Sequence, residues 1–167
     1  MTTAKNNEFM LLYTQHHSDL SNFCRSLEHD VEDAKELMSE TVSRAFVGFT
    51  RLKDKSKFKS YLFGIASNTL KEFIRKKSRP LPETKVISLH HTEVDRIENH
   101  SVNQIMCQIP AKQAEVFVLF EIVDMSLTDI ANSLNTNLST VKTRLSRARV
   151  SLANLLEEEF KQHITNY

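Results

Sequence analysis

Apolar residues recur at intervals of three and four along the first half of the chain, in three separate runs. The runs cover residues 9–27, 34–49 and 58–74. Each run places its apolar side chains on one stripe of an amphipathic helix. Gly48 and the basic stretch RLKDKSK interrupt the pattern and predict a loop between the second and third helices. Three such helices, of roughly 15–20 residues each, can bury a shared core.

The same periodicity predicts shorter helices in the second half, from about residue 101 onward. Ile105 and Ile109 indicate one short helix, and Pro110 lies where a first-turn proline would start the next. The last two helices are predicted over LTDIANSLN and STVKTRLSRARVSLANLLEEE. Ser126 and Ser139 are their expected N-caps, because a serine hydroxyl accepts hydrogen bonds from free first-turn amides.

The segment between the halves has no helical stripe. It contains two prolines, paired histidines and mixed charge, which is typical of a linker. The whole chain has only two glycines and three prolines, too few for the turns of an all-β protein. We therefore expect an all-α fold of two small helical domains joined by a flexible linker. The expected boundaries are residues 1–78, a linker at 79–101, residues 102–160, and a tail at 161–167.

Charge is segregated along the chain although the net charge is only +1. Residues 28–40 carry six acids and one base, whereas residues 51–79 carry ten bases and two acids. Residues 139–150 carry four bases and no acid. One acidic block and two basic blocks indicate two different kinds of partner.

The cysteines, histidines and termini add no separate chemistry. Cys24 and Cys107 are far apart, fall at apolar-looking positions, and give neither a disulfide framework nor metal-ligand spacing. The seven histidines lack a metal-binding spacing such as HExxH, so neither a metal nor a cofactor is expected. No apolar run approaches a membrane span of about 20 residues, and the N-terminus lacks a signal-peptide core. A reducing cytoplasm is the expected location.

The last two predicted helices have the spacing of a helix-turn-helix. Ala131 is small where two helices must cross closely, and Val141 is apolar where the second helix packs back on the first. Asn135 lies where the turn needs a left-handed backbone, which asparagine tolerates next best after glycine. The second helix then exposes polar and basic residues without a carboxylate, namely Ser139, Thr140, Lys142, Thr143, Arg144, Ser146, Arg147 and Arg149. Such a helix can enter a DNA major groove. A basic, solvated face on an ordinary helical hairpin is the alternative.

With these motifs in view, the chain resembles the extracytoplasmic-function group of the sigma-70 family of RNA polymerase sigma factors. The stretch IPAKQAEVFVLFEIVDMSLTDIANSLNTNLSTVKTRLSRARVSL is similar to region four of that family, and DVEDAKELMSETVSRAF and KFKSYLFGIASNTLKEFIRKKSR are similar to region two. The resemblance covers about residues 8–78 and 103–156, in the family's order. The chain departs from the family pattern at Asp124 and Ser139, where glycines are usual, at Tyr61, where tryptophan is common, and at Ser39, where glutamine often stands.

The resemblance implies a role for each charged block. The second helix would bind the core polymerase through Asp33, Glu36, Glu40 and Arg44, although a plain solvated acidic face is the alternative. The third helix and its preceding loop would bind the minus-ten promoter element through Lys57, Lys59, Tyr61, Asn68, Lys71, Arg75, Lys76 and Lys77. The basic helix near the C-terminus would bind the minus-thirty-five element. Phe58 is expected in the core, and Tyr61 is left open between core and DNA surface.

The expected function is therefore promoter recognition, with core RNA polymerase and promoter DNA as partners. An anti-sigma factor is a further candidate partner, and no membrane insertion is expected. A stand-alone helix-turn-helix regulator is the main alternative, and a helical protein that mimics a sigma factor to sequester an anti-sigma factor is a second. An enzyme is not expected, because the sequence offers no nucleophile with supporting groups and no Gly-rich phosphate loop.

Overall fold

The computed structural model describes residues 2–78 and 103–165, and their regular structure is entirely helical. The first half contains α1 (Thr2–Leu27), α2 (Val31–Gly48) and α3 (Phe58–Lys77), with 3-10 turns at Phe49–Arg51 and Lys55–Lys57 between the last two. The second half contains a helical turn at 103–106, α4 (Ala111–Phe117), a π-helical turn (Val118–Ile122), α5 (Leu127–Ser133) and α6 (Leu138–Thr165). The expected all-α class is confirmed, while the predicted linker at 79–101 lies outside the described residues.

The first three helices form a bundle around a core of phenylalanine side chains. The Phe9 ring meets the rings of Phe49 and Phe58 edge-on, at centroid distances of 5.3 and 5.6 Å. Phe58 is 1% exposed, as its expected place in the core requires. The start of α2 is fixed by Asp30, whose carboxylate accepts hydrogen bonds from the backbone amides of Glu32 and Asp33. α1 begins seven residues before its predicted apolar stripe.

The second half closes a smaller core under α6. Val116, Leu119, Ile130, Val141 and Ala148 are fully buried between α4, α5 and α6. α4 begins at Ala111, so the proline directly precedes the helix instead of lying within its first turn. α6 continues to Thr165, five residues past the expected domain boundary.

The caps of the helix-turn-helix differ from expectation at one position. Ser126 caps α5, because its Oγ accepts a hydrogen bond from the Asp129 amide at 3.1 Å. Ser139 was expected to cap α6, but that prediction is wrong. The helix begins one residue earlier, at Leu138, and the Asn137 Oδ1 accepts the hydrogen bond from the Thr140 amide at 2.7 Å.

Two residues of the second half adopt the left-handed backbone conformation. Asn135 has φ 49° in the turn between α5 and α6, as its position predicts. Asp124 has φ 57° between the π-helical turn and α5. Asp124 stands where the family usually has glycine, and its backbone adopts a conformation that favours glycine. Aspartate tolerates this conformation better than most other residues do.

The two halves pack against each other in what we call the closed arrangement, mainly through α1 and α3 on one side and α4, the π-helical turn and α5 on the other. Ser133 Oγ donates a hydrogen bond to the Ser60 carbonyl oxygen at 3.0 Å. The α3–α5 approach is close at Gly64, where a Cβ atom would lie 3.3 Å from the Ser133 carbonyl oxygen. Buried side chains of both halves consequently form one continuous apolar cluster.

Candidate nucleic-acid interface

The N-terminal half of α6 presents a row of exposed polar and basic side chains. Val141, Leu145 and Ala148 anchor one face of the helix in the core. The remaining positions carry the predicted minus-thirty-five residues, of which Ser139, Lys142, Thr143, Ser146, Arg147 and Arg149 are exposed and Thr140 and Arg144 are half-buried. Among the described residues, no carboxylate pairs with Lys142, Arg144 or Arg147. These three bases therefore keep their charge available for a polyanion.

Arg149 is held differently from the other bases of this helix. Its guanidinium donates to the Glu121 Oε1, with Nη2 at 2.5 Å and Nε at 3.1 Å, and lies over the Phe120 ring at 5.4 Å from the centroid. The helix itself carries no acid in this stretch, but the π-helical turn supplies one. Arg149 is thus tied to the body of its own domain, and its contact with DNA stays a prediction.

The predicted minus-ten residues divide into a free group and a bonded group. Asn68, Lys71 and Arg75 are exposed at steps of three and four along α3, and so share one face of that helix. Lys57 and Lys76 are exposed as well. A polymer with regularly spaced phosphates can follow such a track.

The bonded group consists of Lys59, Tyr61 and Lys77. The Lys59 Nζ donates to the Val123 carbonyl oxygen at 2.6 Å and lies 3.8 Å from a carboxylate oxygen of Asp19. The Lys77 Nζ contacts carboxylate oxygens of Glu28 at 2.5 Å and Asp33 at 2.8 Å. Carboxylates of the first half therefore already neutralise part of the charge of Lys59 and Lys77.

Tyr61, left open on sequence grounds, is half-buried against α2. Its hydroxyl donates to the Ala45 carbonyl oxygen at 2.7 Å, and burial raises its pKa. Gly48 makes room for this ring, because a Cβ atom there would lie only 2.6 Å from the Tyr61 hydroxyl oxygen. The tyrosine therefore links α3 to α2, and its hydroxyl points toward α2 and not toward the exposed face of Asn68, Lys71 and Arg75.

The predicted polymerase-binding residues lie on α2, and two of them are joined to α3. Arg44 bridges the Glu40 Oε1 at 2.6 Å and the Glu72 Oε2 at 2.8 Å. These bonds raise the pKa of Arg44, and the guanidinium lowers the pKa of the Glu72 carboxyl. Asp33 pairs with the lysine at the end of α3. Within the described parts of the chain Glu36 alone of the four is exposed without an ion pair.

Two features of the junction between the halves were missed by sequence reasoning. Glu115 is 4% exposed, and its Oε1 lacks a hydrogen-bond partner in the described ranges. Burial raises the pKa of its carboxyl, whereas the nearby positive charges of Lys71, Arg144 and Lys112 lower it to a smaller extent. No local pattern marks this glutamate, because its surroundings come from three helices. The second feature is the contact of Cys107 with His29, which lies 78 residues away in the chain.

The two cysteines have different environments. Cys24 is buried, and burial raises the pKa of its thiol to about 12. Cys107 was expected at an apolar position, but its side chain is exposed and its Sγ contacts the His29 ring. Within residues 2–78 and 103–165 no three metal-ligating side chains gather. Among the described helices, none combines the length and apolar character that a bilayer crossing needs.

Comparison with known proteins gives matches in both halves. The family described as Sigma-70 region 2 matches residues 12–80, and the family described as Sigma-70, region 4 matches residues 100–152. The chain is 26% identical over 151 residues to RNA polymerase sigma factor YlaC of Bacillus subtilis, covering 84% of this chain and 87% of that one. It is 28% identical over 159 residues to the ECF RNA polymerase sigma factor SigW of the same organism, covering 81% of each.

Solved structures agree with the fold. CnrH, in complex with the cytosolic domain of CnrY, aligns with a TM-score of 0.72 at 25% identity, covering 90% of this chain and 88% of that chain. The sigma factor RpoE from Bartonella quintana, in complex with the anti-sigma factor NepR, also gives 0.72, at 24% identity, covering 91% of this chain and 96% of that one.

Proposed function

The chain belongs to the extracytoplasmic-function group of the sigma-70 family, and we propose that its α6 reads the minus-thirty-five element while α3 holds the minus-ten element. As a sigma factor of this group, it binds core RNA polymerase and directs it to promoters. The observation that carries the residue-level proposal is that Lys142, Arg144 and Arg147 have no ion-pair partner among the described residues. They follow a helix-turn-helix turn in which Asn135 has the left-handed conformation. Residues at the start of α6 would contact base edges, and the arginines of α6 would bind phosphates.

The α3 assignment depends on the track formed by Asn68, Lys71 and Arg75. These side chains are exposed and form no hydrogen bond or ion pair with any residue that the structure describes, whereas Lys59 is bonded to the other half of the molecule. We infer that polymerase separates the halves, which releases Lys59 for the minus-ten element. Two weak DNA sites held at a fixed spacing then gain effective concentration over either site alone.

We assign polymerase binding to the acidic face of α2, with Glu36 as its free carboxylate. The ion pairs of Arg44 with Glu40 and Glu72 support this, because they lock α2 to α3 and present the acidic face as a rigid surface. An anti-sigma factor is a further proposed partner, since the similar solved structure of RpoE is a complex with the anti-sigma factor NepR. The protein acts by binding and not as an enzyme, in the cytoplasm, where polymerase and promoters meet.

The stand-alone regulator is the less favoured function. It would need only the second half of the chain to bind DNA, yet the first half carries its own exposed basic helix and matches a promoter-binding family region.

Run-off transcription with purified core polymerase tests the proposal. Arg147→Ala should lower promoter affinity of the holoenzyme by about 1–3 kcal/mol if Arg147 bonds a base edge. The loss should be confined to promoters with the native base at one minus-thirty-five position. Lys161→Ala removes a matched charge from the exposed far end of α6 and should leave transcription unchanged. Tight, sequence-specific promoter binding by the free protein would contradict the proposal and favour the stand-alone regulator.

A further inference from the structure

A cavity of about 210 Å³ lies at the junction of the two halves, and we call it the junction cavity. Its apolar walls come from both halves of the chain. Leu27, Leu70 and Ile74 line it from α1 and α3, and Met106, Ile109 and Ala114 line it from the opposite side. The cavity therefore exists as a single space only while the halves are packed together.

The junction cavity has an apolar side against the core and a polar side, next to Asn103 and the exposed Cys107, that opens toward solvent. Leu70, Met106, Ile109 and Ala114 are all at most 5% exposed, so these walls are held by the surrounding core. An enclosed engineered cavity of about 150 Å³ with aliphatic walls binds benzene in another protein. A space somewhat larger than that accommodates a substituted aromatic ring.

Ser26 supplies a polar group to the cavity wall. Ser26 is 8% exposed and lines the cavity, and its hydroxyl forms no hydrogen bond with any described residue. The neighbouring polar groups are already engaged. The Asn103 amide donates to the carbonyl oxygens of Arg25 and Glu28, and the Cys107 thiol donates to the Asn103 carbonyl oxygen. A ligand hydroxyl in the cavity could exchange a hydrogen bond with the Ser26 hydroxyl, which can both donate and accept.

We propose that the junction cavity binds a small, mostly apolar molecule carrying one hydroxyl group, with the size and character of an alkylphenol. The apolar body lies between α3 and the segment before α4, and the hydroxyl pairs with Ser26. Because the walls come from both halves, the ligand binds only the closed arrangement and stabilises it. By linkage, the ligand opposes the opening that polymerase requires, and polymerase opposes binding of the ligand.

Methyl NMR of protein labelled at its methionines tests the site directly, with p-cresol as the probe and toluene as the matched compound without a hydroxyl. Met106 lies in the cavity wall, whereas Met10 and Met38 line a separate groove between α1 and α2. p-Cresol should shift the Met106 methyl signal saturably and leave Met10 and Met38 unchanged. Absence of a saturable Met106 shift, or a response confined to Met10 and Met38, would overturn the site.

Two variants test its chemistry. Ser26→Ala should weaken p-cresol binding about two- to tenfold and leave toluene binding unchanged, because only the hydroxyl loses its partner. Ala114→Leu should fill the cavity and weaken both compounds by more than about tenfold, with the Met38 and Met125 signals showing that the fold is kept. Equal p-cresol affinity in Ser26→Ala and the native chain would overturn the role of Ser26.

The coupling to opening rests on the proposed function and is measured separately. p-Cresol at ten times its Kd should lower the apparent affinity for core polymerase about tenfold. The Ala114→Leu variant, which binds the probe more than tenfold more weakly, should lose less than about twofold of its polymerase affinity at the same p-cresol concentration. If the Met106 shifts are saturable but the polymerase affinity does not change with p-cresol concentration, the coupling is wrong and the binding site is still supported.

Discussion

The Lys59 Nζ donates to the Val123 carbonyl oxygen across the junction of the two halves, at 2.6 Å. The two residues are 64 positions apart, and one of them is a predicted minus-ten contact. The closed arrangement therefore engages a predicted DNA-binding residue in a contact between the halves. The prediction implies that DNA and the second half of the chain compete for the Lys59 ammonium group.

Loosening this contact should open the molecule. Lys59→Met keeps the aliphatic stem but removes the donor, and Ser133→Ala removes the hydroxyl that bonds to Ser60. Each hydrogen bond contributes roughly 0.5–1.5 kcal/mol, so each change should shift the ratio of closed to open molecules about two- to tenfold. Small-angle X-ray scattering should report a larger radius of gyration for both variants. Lys57→Met, an exposed lysine two residues away, is the control, and an equal expansion there would contradict this explanation.

The free carboxylate on α2 should matter for polymerase binding. Glu36→Lys reverses a charge that is exposed and unpaired within the described residues, so the change leaves the ion pairs of Arg44 intact. We expect the affinity for core polymerase to fall by at least about tenfold, because like charges then face each other. Glu8→Lys makes the same charge change on the exposed side of α1 and should have little effect. Fluorescence anisotropy with labelled protein measures both, and an unaltered affinity of Glu36→Lys would refute the assignment.

The start of α6 gives a stability test. Asn137→Ala removes the side chain that accepts the hydrogen bond from the Thr140 amide, and should cost about 1 kcal/mol of unfolding free energy. Ser139→Ala, one position inside the helix, should stay within about 0.5 kcal/mol of the native chain. Urea unfolding followed by circular dichroism distinguishes them. A larger loss of unfolding free energy in Ser139→Ala than in Asn137→Ala would identify Ser139 as the cap instead.

The buried glutamate predicts a pH dependence. Burial raises the Glu115 pKa above its ordinary value of 4.5, so the folded chain binds this proton more tightly than the unfolded chain. The associated stability is fully present below about pH 4.5 and is lost as pH rises through the raised folded pKa. Glu115→Gln should therefore gain stability relative to the native chain as pH rises from about 4 to 7. Urea unfolding across this range measures the gain, with exposed Glu157→Gln as the control. A difference in unfolding free energy between Glu115→Gln and the native chain that stays constant with pH would contradict a raised Glu115 pKa.

Local patterns account for much of the fold. The stripes of α2 and α3, the cap Ser126 and the left-handed Asn135 each depend on residues only a few positions apart, so the sequence reveals them directly. The cap of α6 was misassigned because Asn137 and Ser139 are both good capping residues. Only the direction in which the chain enters the helix decides between them.

The candidate sites were predicted less completely, for a physical reason. The sequence identifies which residues are basic or acidic, but not which of them are already paired. Arg44, Lys59 and Lys77 each have a partner that lies far away in the chain, as do the surroundings of Glu115 and Cys107. Such long-range pairings leave no periodic trace in the sequence.

The bond between Arg149 and Glu121 limits how promoter specificity could be redesigned. A chimera that exchanged only residues 138–149 for those of another sigma factor would leave Glu121 and Phe120 facing an unrelated side chain. The Glu121 carboxylate, without its guanidinium partner, would then lie beside the proposed DNA-binding surface and repel phosphates. The smallest transplantable specificity module is therefore the π-helical turn together with α5 and α6, and a successful graft would have to carry both sides of this pair.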